Sequence, residues 1–221
     1  MSVVVVKLGG AVAADAAELV LELAERQPVV VVHGAGSRIS AELERRGLEV
    51  RFVAGRRVTS AAAIPIVRES LAQVNAAVCA ALGERAVPLF GDKIGLNATL
   101  LPELGYVGEA VPSAPPAVTI ALAAGLIPVV APLAAGPLNV NADEAAAALA
   151  VGIGAERLLF VSDVPGLLLG GAVAAAINAN EAQRLLDGDA LSGGIVPKLR
   201  AALGATRGGI RAEIGATAVI A

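Results

Sequence analysis

The sequence predicts an α/β fold built on a mostly parallel sheet with helices on both faces, and three observations predict it. Residues 3–6 and 29–32 are unbroken valine runs of strand length with no polar alternation, the pattern of strands covered on both sides. Segments with apolar residues at helical spacing follow each run, giving a βαβα order. Both runs end in the same kind of glycine turn, "VVVVKLGG" and "VVVVHGAG".

Each element follows from its residues. Over 14–26, Ala16, Leu19, Val20 and Leu23 form a helical stripe that Gln27-Pro28 stops. Ser37 reads as the cap of a helix over 37–46, which Gly47 ends. Thr59 or Ser60 is expected to cap a long helix running to Leu82, with Pro65 delaying or bending its start. Its stripe of Ile64, Val67, Leu71, Val74 and Val78 reads as internal core before subunit interface. Strands are expected over 86–90, 106–111 and 127–131, with a helix over 116–124 and a plain connector over 131–137. Beyond these come a strand over 138–140, a helix over 142–151, a strand over 157–162 and a hairpin at Gly170-Gly171. Helices over 181–186 and 197–203 and strands over 210–214 and 218–220 complete the chain.

Composition narrows the function. The 221 residues are 56% hydrophobic and 17% charged, enough for one α/β domain, or two closely joined lobes, with a substantial core. A formal net charge of −3, 2% aromatics and no dense Lys/Arg cluster argue against nucleic acid. The uncharged stretch 110–136 contains five prolines and so cannot be one membrane-spanning helix. Residues 1–10 read as a strand, not a targeting segment. Cys79, the single cysteine, reads as a core thiol in a cytoplasmic protein.

A glycine turn between a buried strand and a helix aims backbone N–H groups and the helix dipole at one spot, which favours an anion. A dinucleotide fingerprint fails, because Ile39 stands where its third glycine belongs. A Walker P-loop fails as well, since Gly-Lys occurs nowhere. What remains is a set of charges at strand and helix ends: Lys7 before Gly9-Gly10, Lys198 after "SGGIVP", and Asp143 in "NVNADEA". Two lysines, one carboxylate and two amide nests suit phosphoryl transfer, where catalysis is positioning and charge stabilisation. Singly, each also fits a surface lysine or a helix cap.

Eight motifs then occur in order: "VVKLGG" (5–10), "VVVVHGAG" (29–36), "FVAGRRVT" (52–59), "GYVGEA" (105–110), "IPVVAP" (127–132), "NVNADEAAAALA" (139–150), "LLFVSDVPGLL" (158–168) and "SGGIVPKLRAAL" (192–203). Their order and spacing over nearly the whole chain resemble the amino acid kinase family. The resemblance implies a three-layer αβα sandwich with an open, mainly parallel eight-stranded sheet, the carbamate kinase-like fold. One domain over 1–221 would hold the acyl acceptor in an N-lobe of about 1–135 and ATP in a C-lobe of about 136–221.

The same resemblance implies phosphorylation of the side-chain carboxylate of N-acetyl-L-glutamate by ATP, a step of arginine biosynthesis, with Mg²⁺ riding on the ATP phosphates. Lys7 and Lys198 would neutralise the phosphoryl group in flight, and Asp143 would hold both ammonium groups. Amides of Gly9, Gly10, Gly34, Ala35 and Gly36 would face the phosphoryl group and attacking carboxylate. Arg57, favoured over its neighbour Arg56, would clamp the α-carboxylate with help from Asn139. Ser162, Asp163, Gly166, Leu167, Gly193 and Gly194 would bind the nucleotide. His33, the only histidine, is expected to fix the second glycine turn rather than do chemistry.

Three departures qualify the likeness. Ala35 stands at a usual glycine, "LFGDKIG" (89–95) differs in order, and "GIRAEIGATAVIA" joins two strands directly. The start at the first strand suggests a homodimer through the helix at 60–82, without arginine feedback. The alternatives are a kinase for carrier-bound aminoadipate or glutamate, a kinase for another small acid, and a catalytically weak regulatory subunit.

Overall fold

In the computed structural model, which describes residues 2–9, 16–162, 164–188 and 191–221, the valine runs form the centre of the sheet. β1 (Val4–Leu8) and β2 (Val29–His33), joined through α1 (Ala17–Ala24), are buried at every position. Their side chains alternate between two cores: Val5, Val30 and Val32 enter one, and Val4, Val6, Leu8, Val29 and Val31 the other. With helices on both faces neither parity has to be polar, which explains the missing alternation.

The chain continues through α2 (Gly36–Arg45), β3 (Phe52–Val53), β4 (Arg56–Arg57), α3 (Ile64–Leu82), β5 (Ala86–Phe90), α4 (Gly91–Ile94), β6 (Ala98–Leu100), β7 (Val107–Ala110) and α5 (Pro116–Ala123). β8 (Ile127–Ala131), β9 (Leu133–Ala134), β10 (Leu138–Val140), α6 (Ala142–Gly152), β11 (Arg157–Val161), β12 (Leu168–Leu169) and β13 (Ala172–Val173) follow. β14 (Ala176–Asn178), α7 (Ala179–Asp187), α8 (Ile195–Arg207), β15 (Arg211–Ile214) and β16 (Thr217–Ile220) end it.

Eight strands form the main sheet in the order β14-β16-β15-β11-β1-β2-β8-β5, parallel throughout except β15 with β16. Helices α1 and α3 cover one face and α5, α6 and α8 the other. This is the three-layer αβα sandwich expected. From β1 the chain moves outward to β2 on one side and later returns to β11 on the other. That reversal opens a crevice beyond the carboxyl ends of β1 and β11, where open α/β sheets bind ligands. A smaller sheet, β6-β7-β10-β9, brings β7 and β10 together in parallel.

Several local expectations are corrected. The cap position of α2 is Ala35, with no side-chain cap, so Ser37 lies inside the first turn. Helix α3 begins at Ile64, with Pro65 in its first turn, where a missing N–H does no harm. Thr59 instead bridges to Gly105 and Ser60 accepts from the Ala63 N–H. The supposed connector 131–137 contains β9, which forms a hairpin with β10. The stretch 110–136 divides into strand, helix and strand, and among the described residues no helix is long and apolar enough to cross a membrane. The C-terminal strands β15 and β16 do form a direct antiparallel hairpin. On α3, Ile64, Val67, Leu71 and Val78 are buried, so the stripe is core.

Gly91, in the "LFGDKIG" stretch, is held to glycine by close approach. A Cβ there would lie 2.1 Å from the Leu133 carbonyl oxygen and 2.9 Å from Leu96 Cδ2. Gly91→Ala is therefore expected to lower stability by about 2 kcal/mol, within the usual range for overpacking, as a lower urea midpoint. An unchanged midpoint would show that α4 and β9 separate freely.

Candidate active site

Alternation along β1 gives Lys7 the parity of Val5 and turns it toward the α6 side of the sheet. Asn141 caps α6, accepting from the backbone N–H of Asp143 at 2.8 Å and of Glu144 at 3.2 Å. The cap places Asp143 in the first helical turn, where the helix dipole favours a carboxylate. There the Lys7 ammonium lies 2.6 Å from Asp143 Oδ1, with each side chain 7% exposed. The contact is an ion pair rather than a directed hydrogen bond, for Oδ1 has no hydrogen-bond partner of good geometry. A lysine on a central strand is tolerable only with such a partner.

Both groups line a cavity of about 340 Å³ that Lys198 also lines. Lys198 rises from the start of α8, its Nζ donating to the Gly194 carbonyl at 3.1 Å. Of the two ammonium groups expected at Asp143, Lys7 is the one in ion-pair contact.

Arg57 enters the same cavity from β4. Its Nη2 donates to Gly36 O and Ser40 Oγ, both at 2.8 Å, and its guanidinium sits 4.5 Å from the centroid of Phe52, its partner across the hairpin. Nη1 is buried and makes no hydrogen bond among the described residues. Burial pulls the Arg57 pKa below the usual arginine range, with Glu44 opposing. Arg56 is committed to ion pairs with Glu144 and Glu109. Asn139 lines the cavity while its Nδ2 donates to Thr59 Oγ1, which in turn donates to the Arg57 carbonyl.

The glycine turns need a correction. Gly9, Gly34, Ala35 and Gly36 line the cavity, but the Gly9 N–H donates to Val161 O and the Gly34 N–H to Leu8 O, each extending the sheet by one residue. Those two amides are therefore engaged. Ala35 and Gly36 sit at the start of α2, where a helix leaves its first N–H groups without intrahelical partners.

The nucleotide set divides. Ser162, just past β11, lines the main cavity, and its buried hydroxyl has no partner among the described residues. Gly193 and Gly194 line an adjoining cleft under the β3–β4 turn. Leu167 is fully buried in the core and its N–H donates to Thr217 Oγ1. Gly166 packs against the same threonine, to which a Cβ would come within 2.7 Å. Leu167 thus supports the loop through packing. Gly10 and Asp163 lie outside the described residues.

His33 shares the parity of Val29 and Val31 and faces α3, away from Lys7. Its Nδ1 approaches Gly34 O at 3.4 Å, while Nε2 lies 3.0 Å from Asn75 Nδ2, which also donates to Val129 O. Asn75, not the glycine turn, is its closer partner, and the arrangement suits a neutral ring protonated on Nδ1. Burial pushes the pKa down to about 4, with the Gly34 carbonyl opposing. The unfolded chain therefore binds the extra proton between about pH 6.5 and 4, and stability falls as pH is lowered through that window. The expected loss is about 3 kcal/mol, and His33→Gln should remove it from urea unfolding measured at pH 7 and pH 4.

Sequence reasoning missed Phe52 against Arg57, Ser40 beneath it, and the apolar wall of Ile39, Leu71, Val107 and Pro132. Phe52 carried a signal, being one of three phenylalanines and lying inside a motif.

Comparison with known proteins bears on the family. The sequence model of the amino acid kinase family matches residues 2–216. The chain is 39% identical to the acetylglutamate kinase of Rubrobacter xylanophilus, covering 97% of this chain and 88% of that one. It is likewise 39% identical to the acetylglutamate kinase of Chloroflexus aurantiacus, over 83% of this chain and 78% of the other. The solved structure of smu.665 from Streptococcus mutans UA159 superposes with a TM-score of 0.89 at 26% identity, covering 99% and 98% of the two chains. The chain belongs to the amino acid kinase family.

Proposed function

We propose that this chain is an acetylglutamate kinase, transferring the γ-phosphoryl group of ATP to the side-chain carboxylate of N-acetyl-L-glutamate. The observation that carries the reading is that Arg57, whose Nη1 has no hydrogen-bond partner among the described residues, lines one cavity with Lys7, Asp143 and Lys198. An orphaned guanidinium nitrogen beside two ammonium groups suits an acceptor with two carboxylates, one to be held and one to react.

Arg57, anchored through Nη2, presents Nη1 to the α-carboxylate, with Asn139 beside it. The side-chain carboxylate attacks the γ-phosphorus already ionised, so no general base is required. A C–O–P linkage forms, the bond to the β-phosphate oxygen breaks, and ADP leaves with the electron pair. Lys7, held by Asp143, and Lys198 offset the negative charge on the transferring group, and the amides of Ala35 and Gly36 face it. Ser162 and the cleft at Gly193 and Gly194 lie on the nucleotide side, so the acid is assigned to residues 1–135 and ATP to 136–221. Mg²⁺ is carried in on the ATP phosphates. Among the described residues no group of three or more His, Cys, Asp and Glu side chains is placed to hold a metal. A homodimer through the exposed Ala76, Ala77, Ala80 and Ala81 of α3, a place in arginine biosynthesis and a cytoplasmic setting belong to the same proposal.

The test incubates the protein with MgATP, hydroxylamine and a panel of acids, and looks for the hydroxamate trapped from the acyl phosphate. N-acetyl-L-glutamate should yield the strongest signal. A hydroxamate only from a carrier-linked glutamate or aminoadipate would replace the substrate assignment, and none from any acid, despite ATP binding, would refute the kinase.

A further inference from the structure

Arg56 and Arg57 leave β4 on opposite sides. Both line the cavity, but the Arg56 guanidinium is taken up by Glu144 at 2.9 and 3.1 Å and by Glu109 at 2.5 Å. Glu144 directly follows Asp143 in the first turn of α6. The chain neighbours of the acid clamp and of the Lys7 anchor are therefore bonded to each other, with side chains only 18% and 15% exposed.

Two more bonds fasten the β3–β4 turn, one from the cap of α6 and one from α8. Asn141 Nδ2 donates to the Gly55 carbonyl at 3.0 Å and Arg200 to the Ala54 carbonyl at 3.3 Å. The turn needs them. Ala54 (φ 50°) and Gly55 (φ 82°) are both left-handed, and among the described residues Ala54 is the only non-glycine with positive φ. β3 and β4 are two residues each, too short to hold a hairpin by their own ladder. The direction of Arg57 is fixed by its own bonds to Gly36 O and Ser40 Oγ together with the bonds that hold its hairpin to α6 and α8.

We propose that Arg56, through Glu144 and Glu109, is a positioning residue that holds Arg57 and Asp143 in one frame, so that the acid clamp and the Lys7 ammonium address the same bound acid. The inference rests on the acid-kinase reading above. Releasing Arg56 lets the short hairpin shift relative to α6. A displacement on the order of 1 Å between clamp and ammonium moves the reacting oxygen off line and can lower turnover by up to about 10²-fold. The Arg56 guanidinium is occupied by Glu144 and Glu109, so its effect on the acid runs through the residues it holds.

Steady-state kinetics with acid and MgATP varied in turn tests this on wild type, Arg56→Met, Arg56→Lys, Glu144→Gln and the double variant Arg56→Met/Glu144→Gln. Arg56→Met should raise the acid KM about tenfold and lower kcat about tenfold while the MgATP KM stays within about twofold. Arg56→Lys should recover part of both. The double variant should be no worse than Arg56→Met alone, because both changes open one contact. Losses that multiply, or a lowered Tm with KM and kcat unchanged, would overturn the positioning role. If Arg56→Met does not fold, Glu144→Gln, similar in size, carries the same KM and kcat test. Wild-type turnover separates the two ideas: its absence refutes the kinase reading, whereas turnover with unaltered variants refutes only the role of Arg56.

Discussion

Lys198→Met lowers kcat by about 10²–10³-fold and leaves the urea midpoint unchanged, the loss expected when one preorganised charge is removed from a developing anion. Lys7→Met loses as much turnover, but it also destabilises. The difference follows from burial: Lys198 stands half-buried at the start of α8, whereas Lys7 is the ion-pair partner of an equally buried Asp143. Removing Lys7 strands that carboxylate, at a cost on the order of 3 kcal/mol. Adding Asp143→Asn to Lys7→Met should therefore return most of the stability and none of the turnover. Kinetics and urea unfolding on the four proteins check both halves. Full activity in Lys198→Met would remove that lysine from the reaction.

Arg57→Lys raises the KM of the acid by about 10–100-fold and leaves kcat and the MgATP KM within about threefold, because a point charge cannot replace a planar fork. Arg57 uses Nη2 to bind Gly36 O and Ser40 Oγ, which leaves Nη1 without a hydrogen bond among the described residues. An ammonium at the end of a flexible stem either keeps those anchors or reaches the acid. It also loses the flat stacking on Phe52. An unchanged acid KM would show that Arg57 holds only the wall of the cavity.

The parts of this molecule legible in the sequence are those where one local rule suffices. The valine runs had to be buried parallel strands because no polar parity interrupts them. Lys7 stood out because a lysine in such a run needs a partner. Parity also separates the two glycine turns, since Leu8 pairs with His33 and Lys7 with Val32. The lysine and the histidine therefore face opposite layers, and only the first can enter the cavity. What stayed illegible depends on distant partners. β9 is a two-residue strand that exists because β10 folds back on it. Gly9 and Gly34 looked like free amide donors until the neighbouring strands claimed them. His33 was expected to hold its own turn, but its closer partner is Asn75, forty-two positions on. Leu167 sits in a recognisable motif, yet Thr217 draws it into the core.

The central claim is that a carboxylate held by Arg57 takes the γ-phosphoryl group beside Lys7 and Lys198. The most direct measurement is ³¹P NMR of the protein mixed with MgATP and N-acetyl-L-glutamate. An acyl phosphate resonance should rise together with ADP, require the acid, and disappear in Lys7→Met. ADP released at the same rate without the acid, or with the acid but no acyl phosphate, would contradict it.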